Sequence, residues 1–242
     1  MSSSTFGLIR DINPKNDESW RNRVFLTFDI DWAHDTVIED TLALLEQYDV
    51  PVTWFATHRT EVLDRIRSNV KFDVGIHPNF NPLLEGSSGG ASSAASVLQS
   101  TIDIAPQATA VRSHSLVHSE RLASLFISHN LRYCCNAFIP LGGSNRIAPW
   151  ELWGELVMVP HCWQDNVALM MNMRVPTPPD ANDQLIVVNF HPIHVFLNTE
   201  DLGRYERTRP IHQKPLELIR QRFKGYGTRN RLIELLEVSK AP

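Results

Sequence analysis

The stretch Val24-Phe25-Leu26-Thr27-Phe28-Asp29-Ile30-Asp31 constrains this chain more than any other. Its apolar, aromatic and β-branched residues read as a buried strand. It closes on two carboxylates one residue apart, and strand alternation puts Asp29 and Asp31 on one side. Two carboxylates at the end of a buried strand cost desolvation and like-charge repulsion. A bound cation offsets both costs. A proton held between the pair, or exposure in a turn, also relieves them. Alone, the octapeptide reads as a polar strand end; the functional alternative has Asp31 on a metal and Asp29 handling a proton.

Strand-like and helix-like segments alternate from there on. Asp35 to Tyr48 has helical apolar spacing with Asp35 as N-cap, and Val52 to Thr57 reads as a strand. Glu61 to Ser68 reads as a short helix, and Phe72 to Ile76 is a strand running into His77-Pro78. Ala94 to Ile104 reads as helix, Thr109 to Arg112 as strand, Ser119 to His129 as amphipathic helix and Leu131 to Ala137 as strand. Glu155 to Val159 is a further strand, and Gln184 to Phe190 another that runs into His191-Pro192. The tail from Leu216 holds two helical segments, and Met170, Met171 and Met173 read as core filler. This alternation predicts an α/β fold with a mostly parallel sheet. Four strands end in Asp29 and Asp31, His77, Arg112 and His191, and α/β barrels carry their reactive groups at such ends.

The 242 residues, 43% of them apolar, suffice for one sizeable core. We expect a surface arm over 1–22 and a single catalytic domain over 23–242. With 23 basic and 27 acidic residues there is no nucleic-acid footprint. Cys134, Cys135 and Cys162 read as buried thiols of a reducing compartment. Met1 to Asp17 lacks a signal-peptide core, and no apolar run is long enough to span a bilayer, so a cytoplasmic protein is expected. The number of subunits is not legible.

Zinc-like divalent ions take imidazole and carboxylate, with three protein ligands and a water at catalytic sites. Asp31 and His77 supply two ligands. Asn81, four residues after His77, offers an amide oxygen as the third, with His34 and His114 as competitors. Asn81 by itself is a common turn residue. Pro78 and Pro82 argue against a regular helix across this loop. The Gly- and Ser-rich stretch from Asn79 to Ser93 reads as a lid or binding loop.

These segments, in this order, resemble the polysaccharide deacetylase (NodB-homology) family, carbohydrate esterase family four. Thr27-Phe28-Asp29-Ile30-Asp31 resembles its first motif, and His77-Pro78-Asn79-Phe80-Asn81 its His-x-x-x-His metal pair with Asn at the second position. Arg112-Ser113-His114 stands where the third motif begins, without the usual Pro and aromatic. Val159 to Asp165, with Trp163, loosely matches the fourth, and Val187 to Pro192 the fifth. The His-Pro-Asn-Phe-Asn and Asn-Phe-His-Pro-Ile-His segments resemble the WbmS-like branch, associated with bacterial O-antigen synthesis.

The resemblance implies a distorted (β/α) barrel and a metal-dependent N-deacetylase, with Zn2+ as the expected ion. The expected substrate is an acetamido sugar or polysaccharide precursor. It implies Asp29 as base, Arg112 holding that base, His191 as acid, and Asp31, His77 and Asn81 on the metal. Asp165, His114 and Trp163 are expected to support the site or face substrate. Trp150, Trp153 and Trp163 could wall a sugar ring, with core packing the commoner use of Trp and favoured for at least one of them. His161 and His194 read as structural or substrate-facing. Two other readings stand beside this one: a C–N hydrolase of a non-sugar amide, and a carbohydrate-binding protein that lost its metal through Asn81.

Overall fold

Every residue of Val24–Asp29 is buried, and this strand, β1, lies inside a sheet with a parallel neighbour on each side. Burial on both faces explains its unbroken apolar run. The computed structural model describes residues 5–86, 93–142, 146–177 and 183–238. After β1 come α1 (Asp35–Glu46), β2 (Val52–Ala56), α2 (Val62–Ser68), β3 (Phe72–Ile76), α3 (Asn81–Leu84) and α4 (Ala94–Ile102). Then follow β4 (Ala110–Val111), α5 (Glu120–Ser128), β5 (Tyr133–Cys134), β6 (Trp150–Leu152), β7 (Leu156–Met158), β8 (Trp163–Gln164) and α6 (Asp165–Met171). The chain ends with β9 (Ile186–Phe190), α7 (Pro192–Leu197), α8 (Leu202–Thr208), α9 (Pro215–Leu218) and α10 (Thr228–Glu237).

The strands form one sheet in the order β6-β7-β5-β4-β3-β2-β1-β9-β8. All neighbours are parallel except the hairpin β6–β7. This is the expected α/β architecture, a distorted barrel left open as a curled half-barrel. The parallel order brings the carboxyl ends of β1, β3, β4 and β9 to the same rim. Phe28 packs against Trp54 at 4.8 Å and Phe190 at 5.8 Å, and Trp163 packs against Phe190 at 4.7 Å. Trp163 is therefore core, not a sugar-facing wall.

Several expectations need correction. The segment before β1 is no surface arm: Phe6, Ile9, Ile12 and Trp20 are buried in the same core cluster as β1. The cap of α1 is His34, whose Nδ1 accepts from the Thr36 N–H at 3.1 Å, rather than Asp35. Pro82 does not prevent a helix, because α3 places it in the first turn, where a missing N–H costs nothing. Of the loop expected as a lid, 87–92 lies outside the described residues. Met170 and Met171 are exposed, and only Met173 packs against the core. Pro192 opens α7, a helix with every residue buried.

The three cysteines are buried and free. Burial pushes the Cys134 thiol up to about 11 and those of Cys135 and Cys162 to about 12, so all three stay protonated and poor metal ligands.

Gly75 lets β3 approach its neighbours. A Cβ there would lie 2.7 Å from Ala110 O and 2.8 Å from the Phe55 ring. Gly75→Ala should lower stability by about 1–3 kcal/mol through overpacking, read as a lower urea midpoint. An unchanged midpoint would mean that β3 and β4 separate without cost.

Candidate active site

β1 ends at Asp29, and Asp31 reaches the rim through a turn rather than along the strand: φ is +39° at Asp31 and +53° at Trp32. Left-handed backbone is unusual for such residues and marks a locally strained turn. The turn is held from two sides, by Trp32 N–H donating to Thr57 Oγ1 (3.1 Å) and Gln213 Nε2 donating to Trp32 O (2.9 Å).

Asp29 is buried and hydrogen-bonded through both oxygens. Arg112 Nη1 donates to Oδ1 at 2.9 Å and Asn189 Nδ2 to Oδ2 at 2.7 Å. Arg112 Nη1 also donates to Asn189 Oδ1 at 2.7 Å, closing the three side chains into a ring. Arg112 is fully buried, with its guanidinium carbon 4.4 Å from the centre of the Phe55 ring. Burial alone would raise the Asp29 pKa. The positive charge of Arg112, with His77 and His191, outweighs it, so the carboxyl sits below its ordinary value.

Asp31 Oδ1 lies 3.2 Å from His77 Nε2 and 3.2 Å from His114 Nδ1. The two imidazole nitrogens are 3.3 Å apart. Burial pushes the Asp31 carboxyl up, but hydrogen bonds from His114 and His77 hold it well below the usual carboxylate range. His77 is placed by the end of β3, where its N–H donates to Ala56 O at 2.8 Å. His114 follows β4, and its N–H donates to Pro78 O at 2.9 Å. Asn136 grips the loop carrying His114, accepting from Ser113 N–H at 2.7 Å and donating to Val117 O at 3.0 Å.

His191, at the end of β9, directs Nε2 toward Asp31 Oδ2 at 3.6 Å and Asp29 Oδ2 at 3.9 Å. Its Nδ1 lies 2.7 Å from Asp165 Oδ1, and its N–H donates to Asp165 Oδ2 at 2.7 Å. Burial would lower the His191 pKa; the charge and hydrogen bond of Asp165, with Asp31 and Asp29, raise it to about 10.

Asp29, Asp31, His77, Arg112, His114, Asp165 and His191 thus meet at one rim. His34 is placed otherwise. The Asn81 amide donates to Ser115 Oγ at 3.0 Å, beside His114, while His34 caps α1. Trp150 and Trp153 stand half-exposed on and beside β6, at the sheet edge. Sequence reasoning missed two residues. Asn189 sits two positions before His191 on a buried strand, where a polar side chain needs a partner. Trp32 is an aromatic directly after the acid pair.

Among the described residues, Asp31, His77 and His114 each offer a ligand atom, all within 4.8 Å of one another. Asp165, His191 and His194 form a second such group, but Asp165 is already engaged with His191 through both oxygens. The first group has an exposed edge, with Asp31 and His114 each about a quarter exposed.

A family model described as WbmS-like polysaccharide deacetylase matches residues 26–209. A crystal structure from Bordetella bronchiseptica, assigned as a polysaccharide deacetylase involved in O-antigen biosynthesis, is 43% identical. The alignment covers 98% of each chain with a TM-score of 0.91. A Mycobacterium smegmatis structure, also assigned as a polysaccharide deacetylase, aligns at 15% identity over 90% of this chain and 91% of that one. Its TM-score is 0.45. No curated protein matches the chain.

Removing Arg112 strands a buried carboxylate. Arg112→Leu should cost about 3–5 kcal/mol in urea unfolding, and adding Asp29→Asn should recover a substantial part. Simply additive losses would mean the two groups are not coupled.

The site's edge also sets a pH response. His161 is fully buried, with Nε2 2.9 Å from Gln164 Oε1; burial, then the charge of Arg112, holds its pKa down at about 3. An unfolded histidine titrates near ~6.5, so between that value and about 3 the unfolded chain binds a proton the folded one refuses. The contribution of neutral His161 is whole above the unfolded value and is lost as pH falls through the window. His161→Asn should flatten stability against pH there, and an unaltered slope would count against it.

Proposed function

The chain belongs to the WbmS-like polysaccharide deacetylases, and from that membership and the rim geometry we propose that it is a metal-dependent hydrolase removing the N-acetyl group of an acetamido sugar. The observation that carries the reading is the meeting of an acid pair, an arginine and three histidines from four strand ends. Residues 23–242 are read as its single catalytic domain, with Phe6, Ile9, Ile12 and Trp20 of the preceding segment packed into the same core.

Asp31, His77 and His114 would hold the metal. Three ligands at about 2.0–2.1 Å from a tetrahedral zinc stand about 3.3 Å apart, and the three ligand atoms here are separated by 3.2 to 3.3 Å. One carboxylate and two imidazoles suit Zn2+ among divalent ions. With His114 in that set, the Asn81 amide nitrogen, donating to Ser115 Oγ, is read as bracing the turn after it, and three ligands are at hand without the Asn81 oxygen. When bound, zinc supplies Lewis acidity toward the acetamide carbonyl and acidifies water.

Asp29 takes a proton from the attacking water. Arg112 and Asn189 hold it ionised and fix its orientation. His191 delivers a proton to the departing nitrogen, since amines leave poorly as anions. Asp165 fixes the His191 ring so that Nε2 faces the acid pair. The assignment of the Bordetella relative supports an O-antigen or other polysaccharide precursor as substrate. Three free buried thiols support a reducing, cytoplasmic setting. Among the described residues no helix is long and apolar enough to cross a membrane.

Zinc-loaded protein should release acetate from an acetamido sugar, stop on EDTA treatment and recover on zinc addition. Asp29→Asn should lower turnover by about 10²–10⁴ while zinc content by atomic absorption stays at the native level. His114→Ala should lose most of its zinc and Asn81→Ala should keep it; the reverse would return Asn81 to the ligand set. Absence of acetate release from zinc-loaded protein across acetamido sugars would end the hydrolase reading.

A further inference from the structure

Beside the metal-ligand group lies a cavity of about 200 Å3 that shares His77 with it. Its other walls include Trp32, Thr57, Leu83, Val97 and Thr101. Drug-sized ligands take roughly 300–1,000 Å3, so this space suits one ring. Among the described lining residues none carries a fixed charge, and His77 is the sole titratable group. Thr57, Ser100 and Thr101 stand among apolar side chains, and the Ser100 and Thr101 hydroxyls, which donate to Val97 O, can accept from a hydroxyl-bearing ring; an uncharged ring matches this lining better than a phosphate or carboxylate.

Trp32 stands at the mouth, 41% exposed, with its ring edge-on to His114 at 5.1 Å. A bulky aromatic at a positive φ is disfavoured where Gly or Asn would fit freely. Its backbone is pinned on both sides. The backbone that carries the ring is therefore held in place by a turn that does not favour it. Aromatic faces pack against the C–H faces of sugars, and an exposed one beside a pocket is a ready platform.

We propose that Trp32 and this cavity form a subsite for an uncharged sugar ring, the one adjoining the ring whose acetamido group faces Asp31. The inference rests on the hydrolase reading for the identity of the reacting group. His77 belongs to both positions: its Nε2 faces Asp31, and it also lines the cavity.

The test titrates the native protein with N-acetylglucosamine and with its β-1,4-linked dimer, following tryptophan emission and calorimetric heat. The dimer should bind more tightly than the monomer and change the emission. Trp32→Phe should keep the dimer preference and lose the emission change. Trp32→Ala should weaken dimer binding about tenfold, the loss of one aromatic contact, and bring it to the monomer's affinity. Ser100→Phe, an exposed position on the cavity wall, should do the same by filling the space. Equal binding of monomer and dimer by native protein, or native-like dimer binding by both Trp32→Ala and Ser100→Phe, overturns the subsite. So does tighter binding of a carboxylated or sulfated dimer. The two readings fail separately. Acetate release with Trp32-independent binding sinks the subsite alone. Trp32-dependent binding without acetate release from zinc-loaded protein sinks the hydrolase reading alone.

Discussion

The charge pair Arg112–Asp29, sealed inside the sheet, is the constraint on which the rest of the site depends. Neither group reaches solvent to any useful extent. Their desolvation must be offset by each other and by hydrogen bonds. Asn189 completes the compensation, accepting from the guanidinium and donating to the carboxylate. The three residues come from β1, the end of β4 and β9, so the network ties the sheet together at the level of the rim. A buried pair of this kind is often no more stabilising than an apolar cluster of equal volume. Its value here is an ionised carboxylate with a fixed orientation at the mouth of the barrel.

Around that pair, the same neighbourhood drives two histidines in opposite directions. His191 and His194 are both buried and face each other edge-on at 5.8 Å. His191 touches Asp165 and is raised to about 10, while burial takes His194, paired with the Thr199 hydroxyl at 3.2 Å, down to about 4. The direct Asp165 contact, with the charges of Asp31 and Asp29, separates His191 from its neutral neighbour. His194 instead packs on Tyr205, 5.0 Å away, as part of the support behind His191.

Much of this was legible because a parallel sheet buries both faces of its strands. Continuous apolar runs then stop where a polar group meets the rim, and that marked Asp29, His77, Arg112 and His191. The partners of those groups were harder to read. Asn189 lies inside such a run, where a lone amide looks incidental until Arg112 is seen across the sheet. His114 reaches the acid pair through consecutive left-handed residues, Ser115 and Leu116. No propensity forecasts that turn. Asp31 does so by the turn at the end of β1, so the alternation argument gave the right neighbourhood for the wrong reason. The helix α7 was hidden because its short apolar run after a proline reads equally well as a strand exit. The segment before β1 looked polar by average, and its buried apolar residues, Phe6, Leu8, Ile9, Ile12 and Trp20, follow no single period.

The pairing of β1 with β9 has a consequence for biogenesis. The two strands are separated by most of the chain, yet they lie side by side from Val24 with Ile186 to Phe28 with Phe190. At translation speeds of about 5–20 residues per second, β1 leaves the ribosome roughly 10–30 s before its partner. Through that interval one edge of the most apolar strand pair stays open, and Asp29 waits without Asn189. Until β9 emerges, the half-made sheet presents an unpaired apolar edge, the kind of surface that chaperones shield.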